Sequence, residues 1–348
     1  MRKYYTRACN FHYGENAKNL IKKNLALPLC GNKNIAFTDI EILSRRKKEK
    51  SKIINIKLIK SLGRKLKKIV QADIKKITLK RKNLSKRIRI DEPVIMGILN
   101  LTPDSFYDGS ELSDHNIIQK FNKVSVSDII DVGAESSRPG AMSLSEKEEI
   151  NRISKFLNLG ISHNCLSIDS YKSNVIEFCL KNGFNMINDI SGGGNKFKNI
   201  DIAAKYNVPI VLMHMKGNPS NMQDHLKYNN LIDDICRFFE LRINYINKIG
   251  FNLSNVILDP GIGFGKSFNH NYEIIKNINK FKKFNCKILI GLSRKSMLNF
   301  NKNKPIDRLY KSVSMQAICI NNGADIIRTH DPIETIDSLE PVLELEKY

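Results

Sequence analysis

The sequence predicts an α/β protein: a (β/α)8 barrel behind a basic N-terminal extension. Three observations carry that reading. Short β-rich runs recur from residue 94 to residue 329, with segments able to form helices between them. The runs are continuously apolar rather than alternating, as expected of strands buried on both faces. Nearly every run also ends on a polar or special residue, and in a barrel of parallel strands all such ends open onto one face.

In chain order, residues 1–90 come first and hold 27 Lys+Arg against 5 Asp+Glu. Residues 91–348 hold 30 of each, so the whole formal charge of +22 belongs to the first quarter of the chain. A patch for RNA or an anionic membrane is one reading. The favoured reading is a solvated appendage, because basic side chains alone give only non-specific affinity and no RNA-binding module motif accompanies them. Residues 4–43 mix aromatics, Pro28, Gly14 and Gly31 with apolar positions, enough for a small folded unit. Residues 44–70 are Lys-rich and could be strand or helix. The boundary is expected near residue 91, where Asp91-Glu92-Pro93 punctuates the chain.

From there the runs are VIMGIL (94–99), DIIDV (128–132), CLSID (165–169), NMINDI (185–190), PIVLMH (209–214), NVILD (255–259), KILIGL (287–292) and DIIRT (325–329). Helices are expected over residues 145–159, 172–182 and 232–248. A doubly wound open sheet is the alternative, but it would place a Gly-rich turn after the first strand. Here Asn100-Leu101-Thr102-Pro103 follows.

Composition excludes several classes. No apolar run approaches the roughly 20 residues of a membrane-spanning helix. The N-terminus lacks a signal-peptide core. Seven cysteines lie far apart without a CxxC pair, so neither a disulfide framework nor a zinc ribbon is expected, and a reduced cytoplasmic compartment fits.

The strand-end residues divide by chemistry. Asp169, Asn188, Asp259 and Lys295 offer carboxylates, an amide and an ammonium. These suit the adjacent N–H donors and ring carbonyl of a pterin or guanine, with Met213 and Phe264 for its flat faces. Asn100, Ser137, Arg138, Arg328 and His330 suit a phosphate or diphosphate. A magnesium ion held by Asn100 and phosphate oxygens fits the few protein ligands this cation takes. Residues 260–267, PGIGFGKS, imitate a P-loop, but Pro260 stands where that motif needs glycine, and Lys266 stands at the third glycine of GxGxxG. No HExxH pair points to a zinc hydrolase.

Taken together, MGILNLTPDSFYDGS (96–110), DVGAESSRPGA (131–141), SIDS (167–170), INDISGG (187–193), LMHMKGNPSNMQ (212–223), LDPGIGFGK (258–266), GLSRKSML (291–298) and RTHD (328–331) resemble the dihydropteroate synthase family. The resemblance covers residues 94 to about 335. It implies a transferase of folate synthesis that joins 6-hydroxymethyl-7,8-dihydropterin diphosphate to p-aminobenzoate. It also implies a cytoplasmic homodimer, a sulfonamide target, with no membrane or nucleic-acid partner. By the same resemblance Asp169, Asn188, Ile190, Met213, Asp259, Gly263, Phe264, Gly291 and Lys295 would hold the pterin. Asn100, Ser137, Arg138, Arg328 and His330 would hold the diphosphate, with Asn100 on magnesium. Phe106, Ser137, Arg138 and Ser296 would hold p-aminobenzoate, Ser296 at a helix start. Asp108, Asp169 and Lys295 would be catalytic, with Asp108 near the pterin cation. Ser137 stands where the family more often has Thr, and Ile262 where Phe is common. Two other readings stay open: a methyltetrahydrofolate-dependent methyltransferase of the same fold, and a non-enzymatic RNA-binding protein acting through its basic N-terminus.

Overall fold

The computed structural model describes residues 3–44, 49, 51–80, 93–102, 113–136, 143–217, 221–222, 226–300 and 304–345. The expected boundary near residue 91 falls at the edge of a stretch outside them.

Among the described residues, the basic quarter folds as a four-stranded sheet with two α-helices. β1 (Tyr4–Tyr13) and β3 (Asn32–Ser44) pair antiparallel, with Tyr4 opposite Ser44 and Tyr13 opposite Ile35. β2 (Leu27–Leu29) and β4 (Lys52–Asn55) share the other edge of β3. α1 (Gly14–Lys22) links β1 to β2, and α2 (Arg64–Thr78) closes the unit. The ambiguous Lys-rich stretch therefore resolves into a short strand, a 3-10 turn at Ile56–Ser61 and the start of α2. Leu66, Val70 and Ile77 recur at helical spacing and face a core of Phe37, Ile40 and Ile54, while Arg64, Lys65, Lys68, Lys75 and Lys76 are exposed. The single acid of α2, Asp73, is buried and accepts a bond from the Thr6 amide at 3.0 Å.

The remaining strands are parallel and close in the order β5 (Val94–Asn100), β6 (Ile129–Gly133), β7 (Leu166–Asp169), β8 (Met186–Asp189), β9 (Ile210–Met213), β10 (Val256–Asp259), β11 (Lys287–Ile290), β12 (Ile326–Thr329). Each coincides with one of the apolar runs read from the sequence. The helices between them are α3 (Asp114–Val124), α4 (Glu146–Asn158), α5 (Ser173–Lys181), α6 (Lys198–Tyr206), α7 (Leu231–Lys248), α8 (Phe268–Lys276), α9 (Leu309–Asn321) and α10 (Pro332–Leu345). The three expected helices match α4, α5 and α7 within a residue or so. The start of α4 is set by a capping box, in which Ser145 caps the Glu148 amide and Glu148 answers to the Ser145 amide.

Side chains alternate across a strand. Val94, Met96, Ile129, Cys165, Met186, Val211, Ile257, Leu289 and Ile326 form one buried hydrocarbon cluster inside the barrel. Two residues further along their strands, the inward positions are Asp131, Ser167, Asn188, Met213, Asp259 and Arg328. The floor of the barrel is thus oil and its upper layer largely polar. The larger apolar cluster fills the space between strands and helices.

The N-terminal unit rests on the 3-10 segment Ile278–Phe284, just ahead of β11. Arg7 donates to the Asn277 side chain at 3.0 Å, and the Lys283 ammonium lies 3.9 Å from the centre of the Tyr5 ring. A cavity of about 450 Å3 remains at this junction, lined among others by Tyr5, Asp73, Leu241, Asn247 and Phe284. No helix of the described residues is long and apolar enough to cross a membrane.

The fully buried Phe239 of α7 meets Phe281 and Phe284 edge-on, with ring centres 5.8 and 5.9 Å apart. Phe239→Ala is expected to cost about 3–5 kcal/mol of stability in urea unfolding. A loss under about 1 kcal/mol would contradict this packing.

Candidate active site

The strand register brings the expected groups to one level. Asn100 pairs with Gly133, Gly133 with Asp169 and Asp169 with Asn188, on four neighbouring strands. Across the barrel Asp259 pairs with Met213. A Cβ added to Gly133 would lie 3.4 Å from the Asp169 Cβ and 3.6 Å from the Asn100 Oδ1, so glycine here lets those two side chains approach.

Arg328 joins the set. Its Nε donates to Asp131 at 2.7 Å and its NH2 group to Asp169 at 2.6 Å. Asn188 donates to the same Asp131 oxygen at 2.8 Å. Gly291 of the next loop abuts the Arg328 stem, since a Cβ there would stand 3.6 Å from the Arg328 Cβ. Ser293 contacts both the backbone amide and the Nδ1 of His330, each at 3.2 Å.

The opposite wall is the turn that follows β10. Asp259 accepts the Gly261 amide at 2.7 Å, and Lys295 donates to the Ile262 carbonyl while its ammonium stands 4.4 Å from the Phe264 ring centre. Gly263 has φ +80°, and a Cβ would press on the Lys295 stem at 3.1 Å. Asp259, Asn188, Met213 and Ile190 are buried, whereas Asn100, Asp169, Phe264, Lys295, Arg328 and His330 are half-buried and rim the mouth.

Burial raises the Asp169 carboxyl above its ordinary value; Arg328 draws it back, and Asp131 pushes it further up. Burial likewise raises Asp259 against the pull of Lys295. Lys295 is pushed down to about 8 by burial, with Asp259 opposing. Asp259 and Lys295, a pair of opposite charge each destabilised in its ionised form, are suited to a neutral polar ring that supplies both donors and acceptors.

Ser296 begins only the three-residue 3-10 turn Ser296–Leu298, so the expected positive helix end is a single short turn. Sequence reasoning also passed over Asp131 as an individual site residue, although it bonds both Arg328 and Asn188. Its signal was the two-residue step from Ile129, which puts it on the inward face. Phe106, Asp108, Ser137 and Arg138 lie outside the described residues.

Fold and site together define a pterin-binding barrel, and the family profile described as "Pterin binding enzyme" matches residues 96–330. The chain belongs to the dihydropteroate synthase family. It is 41% identical over 259 residues to the dihydropteroate synthase of Clostridium beijerinckii, covering 72% of this chain and 93% of that one. It is 37% identical over 262 residues to that of Escherichia coli K12, covering 73% and 92%. Among solved structures, the Yersinia pestis dihydropteroate synthase with a sulfonamide drug complex superposes with a TM-score of 0.70 at 36% identity, covering 75% of this chain and 97% of that one. The Xanthomonas albilineans dihydropteroate synthase with 4-aminobenzoic acid gives 0.69 at 30%, covering 75% and 96%.

The raised Asp169 carboxyl has a consequence for stability. Above its ordinary value of 3.8, the folded protein holds this proton longer than the unfolded chain does. Stability from this group therefore falls as pH rises through that window. Asp169→Asn is expected to gain stability relative to the native chain between about pH 4.5 and pH 7 in urea unfolding. A difference independent of pH would refute the assignment.

Proposed function

We propose that the chain joins 6-hydroxymethyl-7,8-dihydropterin diphosphate to p-aminobenzoate, giving 7,8-dihydropteroate and diphosphate. The observation that carries this reading is Arg328 bridging Asp131 and Asp169. It sets a carboxylate-and-amide face for a heterocycle beside a cationic rim for a phosphate tail. The two bonds to Asp131 and Asp169 use two of the five guanidinium N–H groups, and the others remain available to an anion.

In this reading Asp169, Asn188 and Asp259 accept and donate along the amidine edge of the pterin. Lys295 donates to the ring carbonyl, and Met213, Ile190 and Phe264 cover its faces. Gly263 and Gly291 keep backbone close to the ligand. Arg328 and His330 take the diphosphate. The amine nitrogen attacks the exocyclic CH2, the C–N bond forms, the C–O bond to diphosphate breaks, and the arylammonium proton leaves to solvent or diphosphate. Transient positive charge on the pterin is eased by the surrounding carboxylates. Phe106, Asp108, Ser137, Arg138 and Ser296 keep their proposed roles around p-aminobenzoate and the cationic carbon. Sulfonamides would compete at that position.

Among the described residues no group of three or more His, Cys, Asp or Glu is placed to hold a metal ion. Asn100, with its amide beside Gly133 at the mouth, fits magnesium, which keeps few protein ligands. When bound it would neutralise the leaving diphosphate.

A homodimer is proposed, with Phe268, Phe300, Ile306, Tyr310 and Ile318 as exposed apolar side chains to cover. Phe268 and Phe300 stack edge-on at 5.8 Å, and Lys311 of α9 reaches over Phe300. The cytoplasm is the proposed compartment, consistent with seven free cysteines.

The test is to mix purified protein with both substrates and magnesium and follow dihydropteroate and diphosphate release. No product would sink the proposal. Asp169→Asn is expected to weaken pterin binding by about tenfold or more, and Arg138→Ala far less, in calorimetric titrations. Equal effects would contradict the division of roles.

A further inference from the structure

We propose that Lys266 is a positioning residue for the pterin site. Its ammonium locks the end of β9 to the turn after β10 and so fixes Met213, Asp259 and Phe264 around the ring. The inference rests on the function proposed above.

Lys266 is the lysine of the P-loop-like stretch, but it turns away from the mouth. It is 4% exposed and makes three contacts: His214 carbonyl at 2.9 Å, Phe264 carbonyl at 2.9 Å and His214 Nδ1 at 3.0 Å. An ammonium has three N–H groups, and three acceptors meet them. With Lys266 charged, His214 Nδ1 is the acceptor and the imidazole is neutral with its proton on Nε2; burial draws Lys266 itself down to about 7, with Asp259 opposing. Burial and the adjacent Lys266 charge both hold His214 well below its ordinary value, in agreement.

The two segments joined here have almost no space between them. A Cβ on Gly261 (φ +72°) would fall 2.1 Å from the His214 carbonyl oxygen and 3.2 Å from the Lys266 Nζ. The His214 amide donates to the Asp259 carbonyl at 2.8 Å, which continues the ladder past the last paired residues. The Phe264 amide closes the turn onto the Gly261 carbonyl at 3.2 Å. Lys295 bonds the Ile262 carbonyl of this turn and Lys266 bonds the Phe264 carbonyl. The turn is thus held between two ammonium groups. One reaches the mouth; the other is buried, holds the backbone of the turn and also acts through its charge on the Asp259 carboxyl.

The experiment uses the full chain and two probes, 6-hydroxymethylpterin and inorganic diphosphate, with dissociation constants from calorimetry. Lys266→Met keeps the length and removes the donors. It is expected to weaken pterin binding by about tenfold or more and leave diphosphate binding within about twofold, because Arg328 and His330 lie at the end of β12, which pairs with neither β9 nor β10. His214→Leu removes one acceptor and is expected to weaken pterin binding severalfold. His214→Asn, which restores an acceptor near the Nδ1 position, is expected to recover most of that loss. Pterin affinity within twofold of the native chain in Lys266→Met overturns the inference, as does an equal loss for both probes. If Lys266→Met gives no cooperative melt, the histidine pair decides, and equal pterin affinity in the two variants overturns it. Failure of the unsubstituted chain to bind pterin defeats the functional reading itself, and the inference with it.

Discussion

The guanidinium of Arg328 is the interaction on which the site depends. Asp131 and Asp169 both point into a barrel interior whose lower layer is hydrocarbon. Two carboxylates so placed would repel each other and lack solvent. One planar cation, reaching both with separate N–H groups, makes their coexistence tolerable, and Asn188 adds a neutral donor to the same Asp131 oxygen. Burial still raises the Asp169 carboxyl and lowers the Lys295 ammonium, with Asp131 adding to the first shift and Arg328 to the second. Replacing one member of such a buried set usually costs more than the pair contributes, because its partner is left uncompensated.

Much of this was legible in the sequence, for a definite reason. Strands buried on both faces write themselves as unbroken apolar runs, so VIMGIL, NVILD and KILIGL could be placed without ambiguity. Parallel closure then forces their carboxyl ends together. Asp169, Asn188, Asp259, Lys295 and Arg328 could be read as partners although they are dispersed along the chain. Asp131 was harder, because it sits inside its run rather than at the end, and only the inward alternation from Ile129 marks it. The network beneath the mouth was also hidden. Lys266 looked like the lysine of a failed phosphate motif, and no local pattern shows that its side chain turns toward His214. The Lys-rich stretch from residue 44 gave no clear period, since a short strand, a 3-10 turn and a helix follow one another too quickly for either periodicity to build up.

The barrel separates duties by depth. The layer of Met96, Met186, Val211, Ile257 and Leu289 is dry and holds the strands together through apolar burial. Polarity begins one inward step above it. Chemistry at the mouth can therefore be altered by changing a strand-end residue while the hydrocarbon floor stays the same, the arrangement that lets this fold carry many reactions.

The N-terminal unit touches the opposite end. In a (β/α)8 barrel the chain just ahead of a strand lies on the face remote from the active site. The segment Ile278–Phe284, which the unit grips through Arg7, Tyr5 and α2, immediately precedes β11. The extension is therefore a pedestal rather than a gate. Cargo tethered ahead of β1 would hang below the barrel and leave the route by which small molecules enter and depart unobstructed.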